Sequence, residues 1–388
     1  MDRLFTFIAI ALIFCTGNQT KVKAETIIAI ALIFCTGNQT KVKAETMDRE
    51  IKLVQDWDKT FPKSEKINHK KVTFKTQYGL TLAADLYMPK NAEGKLPAIA
   101  VSGPFGAVKE QCSGLYAQTM AEREFITIAF DPSFTGESSG EPRRTASPDI
   151  NTEDFLAAVD YLCMRDDVDA GRIAIIGICG WGGIALNAAA QDPRIKATVA
   201  ITMYDMSRVS GNGYFDADDS EEKRYSARKA WAEARTADLK NRTFTMAGGV
   251  VDPLPKDAPQ FVKDYYAYYK TPRGYHKRSG NSNDGWRAIG CQAYANTRFL
   301  YYINEIRSAV LIVHGEKAHS RYFGESAFRY MMDGKAEGYD FVRKPNPVPE
   351  NKQLIIIPGA SHCDLYDGGG KGMIPWDNIE EFLKKNLK

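Results

Sequence analysis

The sequence predicts an α/β fold built on a mainly parallel sheet, and three observations carry that expectation. Short apolar runs at Leu96–Ser102, Phe125–Phe130, Ile173–Ile178 and Lys196–Thr202 have the length and composition of strands buried on both faces. Helical patterns alternate with them, as crossover connections between parallel strands require. At Arg172–Gly183 a β-branched run ends in Gly177-Ile178-Cys179-Gly180-Trp181-Gly182-Gly183 and gives way to a helix over Ile184–Ala190. A strand, a sharp turn and a helix in that order expose the residue at the turn, Cys179, with the next backbone N–H aimed at whatever it attacks.

The elements follow in order. Lys71–Gln77 and Leu80–Tyr87 flank Tyr78-Gly79 and read as a hairpin, which predicts an antiparallel edge. Strand Leu96–Ser102 runs into the turn Gly103-Pro104-Phe105-Gly106, and Glu110–Arg123 is an amphipathic helix. After strand Phe125–Phe130 comes a Gly/Ser-rich loop, Asp131–Arg143. Asn151 or Thr152 is the expected cap of a helix reaching Cys163. Beyond strand Lys196–Thr202 the alternation stops. From about residue 204 to about 307 helices at Glu221–Leu239 and Pro259–Tyr269 dominate, with a dense group of tyrosines (Tyr265, Tyr266, Tyr268, Tyr269, Tyr275). This insertion is expected to cap the carboxyl edge of the sheet. The sheet resumes at Ala309–Val313 and ends at Leu354–Ile357, with helices at Ser326–Met332 and Trp376–Leu387.

Length and composition narrow the function. The chain has 388 residues, which fits one large domain with an inserted cap. A formal net charge of +3 with no basic tract offers nothing to nucleic acid. Seven cysteines without CxxC pairs predict neither a zinc site nor a disulfide framework. Arg3 followed by the apolar run Phe5–Phe14 and by Val22-Lys23-Ala24 reads as an export signal, too short to leave a membrane span. Ile8–Thr26 recurs letter for letter as Ile28–Thr46, so residues 1–46 read as a duplicated signal region, or a misplaced start, outside a folded domain at 47–388. An exported location, periplasmic or secreted, is the expectation. A lipid anchor at Cys15 or Cys35 is disfavoured by the phenylalanine before each.

Several chemistry-bearing residues fall at carboxyl ends of strands, where open parallel sheets bind ligands. Cys179 follows one strand, Glu316 another, and His362 the last, in Pro358-Gly359-Ala360-Ser361-His362. The order nucleophile, acid, histidine is that of the α/β-hydrolases. With Gly177-Ile178-Cys179-Gly180, Asp131 to Gly136 and Pro358 to His362 in place, the chain resembles that superfamily over nearly all of Lys71–Lys388. Within it the chain resembles dienelactone-hydrolase-like proteins, which use a cysteine where most relatives use serine. The resemblance implies an α/β-hydrolase fold and a cysteine acyl-enzyme.

The roles have physical grounds. A helix N-terminus and a nearby imidazole favour the Cys179 thiolate. His362 titrates near neutrality and is the expected general base, ahead of His69, His276 and His314. The amides of Gly180 and Phe105 are the expected oxyanion donors, Pro104 having no N–H. The acid is the departure: the register Gly-x-x-Asp after the seventh strand places Ala318 where aspartate is usual. Glu316 is the first candidate and Asp205 the second. Trp181 and His319 are expected to touch substrate. The resulting expectation is an exported hydrolase of an ester, lactone or thioester with a small-molecule acyl substrate, no metal and no organic cofactor. The alternatives are a non-catalytic binding protein on the same fold and an exported peptidase.

Overall fold

The computed structural model describes residues 51–335 and 342–388; the signal region and its repeat lie outside them. Among the described residues a single eight-stranded sheet runs in the order β1-β2-β4-β3-β5-β6-β7-β8. The strands are β1 (Ile67–Lys75), β2 (Thr81–Pro89), β3 (Leu96–Ser102), β4 (Ile126–Phe130), β5 (Val168–Ile178), β6 (Ile195–Ile201), β7 (Ala309–Gly315) and β8 (Lys352–Ile357). β1 pairs antiparallel with β2, and β2 antiparallel with β4; from β4 onward every pairing is parallel. The opening hairpin therefore forms the antiparallel edge, and the fold is the α/β-hydrolase fold.

Alternation along the strands fills two cores. Ile173 and Ile175 of β5 face the layer of α2 (Pro148–Cys163), α3 (Gly180–Gln191) and α8 (Arg321–Asp333). Ala174 and Ile176 face the opposite layer, made by α1 (Cys112–Ala121) and α10 (Trp376–Asn386). Successive side chains of a strand point to opposite faces, so burial on both faces makes the strand apolar throughout. Helix α2 starts earlier than its expected cap, at Pro148 after Ser147, because proline at the first turn gives up an N–H that has no helical partner.

Residues 202–308 separate the neighbouring strands β6 and β7. They hold α4 (Met206–Asn212), α5 (Glu221–Asn241), α6 (Gln260–Tyr269) and α7 (Ala288–Ala295). Helices α4 and α7 are too short to stand out in the sequence. Tyr268 and Tyr269 of α6 are buried, so part of the tyrosine cluster serves packing. Helix α5 buries none of its residues fully; Ser220 caps it by accepting from the Lys223 amide at 3.2 Å.

A buried ion cluster fixes the segment between β3 and α1. The Lys109 ammonium is fully buried and lies 2.7 Å from Asp131, 2.6 Å from Glu137 and 2.7 Å from Glu110. Its backbone amide also donates to Asp131 Oδ1 at 2.9 Å. Lys71 joins from β1, 2.8 Å from Glu137 and 3.1 Å from Glu110. Four surrounding carboxylates outweigh burial and hold the Lys109 amine well above its ordinary pKa. Removing one partner of such a cluster leaves the others charged and unpaired. Lys109→Met is accordingly expected to destabilise the fold by about 3–5 kcal/mol, read by urea unfolding; a midpoint within error of the parent would show that the cluster clamps nothing.

Candidate active site

The turn after β5 has the geometry expected of an exposed nucleophile. Cys179 adopts φ 60° and ψ −127°, a backbone conformation that is costly for a residue with a side chain. Hydrogen bonds to the end of β6 hold it there: the Cys179 amide donates to the Ile201 carbonyl at 2.9 Å, and the Cys179 carbonyl accepts from the amides of Gly182 at 2.9 Å and Tyr204 at 3.0 Å. Gly177 makes the bend possible. A Cβ there would stand 2.0 Å from the Trp181 carbonyl oxygen, so strand and helix meet only because nothing lies between them.

Four polar groups bear on the sulfur. The Gly180 and Phe105 amides and the hydroxyls of Tyr366 and Tyr265 are the neighbours whose hydrogen-bonding capacity favours its ionised form. The structure thus places both amides expected as oxyanion donors next to Cys179. Phe105 comes from the segment clamped by Lys109, Gly180 is the first residue of α3, Tyr265 comes from α6 in the cap, and Tyr366 from the one-turn helix α9 (Asp364–Asp367).

His362 is also brought in, and its surroundings differ from expectation. Its Nε2 lies 2.9 Å from the Tyr366 hydroxyl. Its Nδ1 faces two hydroxyls, Thr202 Oγ1 at 2.8 Å and Ser320 Oγ at 2.7 Å, where a carboxylate was expected. Glu316 is exposed, and its Oε2 accepts from the Gly359 amide at 2.7 Å, across the turn that follows β8. Asp205 caps α4, with Oδ1 accepting from the Ser207 and Arg208 amides at 3.0 Å each. Neither candidate carboxylate is among the hydrogen-bond partners of the ring. Thr202 and Ser320 carried no signal in the sequence because hydroxyl residues at strand ends are common; Tyr366 was hidden because a phenol belongs to no familiar catalytic spacing.

Burial sets the charge state. Desolvation raises the Cys179 thiol above its ordinary value of 9.0, against the pull of those four groups. Desolvation pushes the His362 imidazole well below its usual range, and neighbouring His319 and His314 add to that direction. Burial thus favours a neutral thiol and a neutral imidazole over the expected thiolate. Aromatic rings enforce this: those of Tyr204, Tyr265, Tyr366 and His319 lie 5.1–5.4 Å from that of His362.

The remaining candidates separate. Trp181 is buried against Phe130 and Phe155 and borders a smaller cavity of about 230 Å³ with Arg143, Arg144 and Arg278, not the one that holds Cys179. His319 stands behind the wall, hydrogen-bonded to the Tyr204 hydroxyl and stacked on Phe261. Cys363 is fully buried and its thiol is pushed well up by desolvation, so it is no rival to Cys179. His69 bonds to Asp85, and His276 to the Asp58 carbonyl. Cys112, Cys163, Cys179 and Cys363 are free thiols. Among the described residues the one group of carboxylates spaced for a metal ion is Glu110, Asp131 and Glu137, and the Lys109 ammonium already sits among them.

Cys179 opens into a cavity of about 650 Å³ beneath the cap. Its walls include Met206, Trp231, Phe261, Val262, Tyr265 and Trp286, and none of the described residues lining it carries a formal charge.

Residues 79–327 match the family described as X-Pro dipeptidyl-peptidase (S15 family). The chain belongs to that family. It is a hydrolase of the α/β-hydrolase superfamily. Protein PA2218 of Pseudomonas aeruginosa is 49% identical over 346 residues, covering 87% of this chain and 86% of that one. The crystal structure of PA2218 superposes with a TM-score of 0.80 over 88% of this chain and all of that one, at 50% identity. The α/β-hydrolase GrgF from a Penicillium species shares the fold, with a TM-score of 0.64 at 21% identity, over 82% of this chain and 99% of that one. A more local match is the thiohydrolase aneE of Aspergillus aculeatus, 30% identical over 138 residues, which are 36% of this chain and 42% of that one.

A neutral resting thiol has an optical signature. Near neutral pH the ultraviolet thiolate absorbance of the protein is expected to match that of Cys179→Ala, and a Cys179 contribution is expected to appear only above pH 9.0. A Cys179-dependent thiolate band at neutral pH would contradict the neutral pair.

Proposed function

We propose that the protein hydrolyses thioesters and activated esters of uncharged, apolar acyl groups through an acyl-enzyme on Cys179. What supports this reading is that the Gly180 and Phe105 backbones, from different elements, pack together next to one sulfur that lines an uncharged cavity. Sulfur attacks the acyl carbon, and the carbonyl oxygen takes the place beside the Gly180 and Phe105 amides that sulfur holds at rest. Donors aimed at developing charge in a dry site stabilise it far more than they would in water. His362 accepts the thiol proton and returns it to the leaving group. Its Nδ1–H donates to Thr202 or Ser320, which fixes the tautomer that leaves Nε2 free to accept.

Hydroxyls in place of a carboxylate limit what the imidazole can do. They orient the ring but do not offset the charge of an imidazolium. Proton transfer therefore accompanies attack instead of preceding it, and a good leaving group such as a thiolate suits that regime. The local likeness to a thiohydrolase points the same way. Export of the mature chain remains part of this proposal, resting on the apolar N-terminal run.

Family membership favours a second reading, a peptidase that releases X-Pro dipeptides. Such a substrate presents a charged amino terminus, and a buried ammonium requires an acidic partner. The Cys179 cavity offers none among its described lining residues. The two readings part on substrate. Octanoyl thioester turnover is expected to exceed that of an X-Pro-anilide by at least roughly 100-fold in kcat/KM, and Cys179→Ala is expected to lose roughly 1000-fold or more on the thioester. Preference for the anilide would overturn the acyl reading in favour of the peptidase. Turnover by Cys179→Ala equal to the parent would overturn both.

A further inference from the structure

The thiol and the imidazole meet through a third side chain. Tyr366 Oη neighbours the Cys179 sulfur, with which it lines one cavity, and lies 2.9 Å from His362 Nε2, so that its one hydrogen can point to the ring while an oxygen lone pair faces the thiol. Its ring has little freedom to withdraw. Tyr366 is fully buried, and its ring stands edge-on to Tyr268 at 5.0 Å, Tyr269 at 6.1 Å and His362 at 5.2 Å. It sits four residues after His362, on the one-turn helix that follows, so the same segment delivers both groups.

We propose that Tyr366 is a catalytic residue whose hydroxyl relays the proton from Cys179 Sγ to His362 Nε2. The proposal rests on Cys179 as the nucleophile. As the sulfur lone pair forms the bond to the acyl carbon, the S–H proton passes to Tyr366 Oη and the proton already on Oη passes to Nε2. The carbonyl π electrons move to the oxygen facing Gly180 and Phe105. When the tetrahedral adduct collapses, the bond to the leaving group breaks and that group takes the proton from the imidazolium by the reverse path. Tyr366 ends as it began, a neutral phenol, and no other reactant is needed. Burial, with nearby Cys179, raises the phenol well above its ordinary pKa, which disfavours a free phenolate and favours movement of the two protons together.

Tyr265 also neighbours the sulfur, but its hydroxyl leads to Tyr204 at 3.0 Å and only then to His319. That path needs two phenols and ends on a different imidazole. The path through Tyr366 needs one and ends on the ring anchored by Thr202 and Ser320.

The test separates proton relay from binding of the oxyanion, the other role open to a phenol at this position. Alkylation of Cys179 by iodoacetamide requires loss of the thiol proton but develops no oxyanion, and it uses no acyl substrate, so its outcome is independent of the proposed reaction. Tyr366→Phe keeps the ring and removes only the hydroxyl. Its alkylation rate, followed by mass spectrometry at Cys179, and its kcat on a p-nitrophenyl ester are both expected to fall roughly 100-fold with KM unchanged. His362→Gln is expected to slow alkylation to a similar degree, and the double variant no further, because one path is broken in each case. Alkylation of Tyr366→Phe at the parental rate, or losses that multiply in the double variant, would overturn the relay. Should Tyr366→Phe fail to fold, the solvent-deuterium dependence of the parental rate decides. Two protons in flight give a curved dependence, and a straight line would contradict the proposal.

Discussion

A single bend in the backbone organises the site. Cys179 occupies a conformation that a side-chain-bearing residue avoids, and it is kept there by hydrogen bonds from and to the end of the neighbouring strand β6. Strain of that kind persists only where the surroundings over-determine it. Here two amides, of Gly182 and Tyr204, and the Ile201 carbonyl do so, together with a glycine, Gly177, that lets helix α3 lie directly on strand β5. The bend sets where the sulfur points. The Gly180 amide then faces that sulfur because it is the next residue, and the segment held by Lys109 brings the Phe105 amide to the other side.

The electrostatics follow from how deeply the two side chains are buried. Thiol and imidazole are both held in their neutral forms by burial, and the ring of aromatic groups around His362 leaves no room for a solvating shell. Two neutral groups bridged by a phenol form a different starting point from a preformed ion pair. A neutral buried thiol is also less open to oxidation than a thiolate, since oxidation follows thiolate character. The cavity extends the same logic outward, because its uncharged walls exclude substrates whose polar groups would be stranded.

Much of this was legible in the residues. Runs such as Leu96–Ser102 and Ala309–Val313 are apolar at every step because two helical layers bury both faces of those strands, and both were placed within two residues of their ends. The positions of Cys179, Gly180, Phe105 and His362 at the carboxyl edge of the sheet were legible because each follows a strand end with a turn signature. The hydrogen-bond partners of the His362 ring were not. Glu316 and Asp205 have the right charge, but Glu316 bonds to the Gly359 amide and Asp205 caps α4, and only three-dimensional placement reveals that Thr202 and Ser320 face the ring instead. Trp181 misled for a related reason. Two residues after Cys179 it has turned into the core, against Phe130 and Phe155. The short cap helices α4 and α7 were missed because seven or eight residues carry too few turns of periodicity to register.

The account's central claim is that acyl groups pass through a covalent bond to one particular sulfur. Mass spectrometry of the protein quenched in acid during turnover of a slow p-nitrophenyl ester tests it most directly. The account predicts a mass increase equal to the acyl group, located on the peptide bearing Cys179 and absent from Cys179→Ala. An active enzyme that never carries the adduct under burst conditions, or that carries it on another residue, would contradict it.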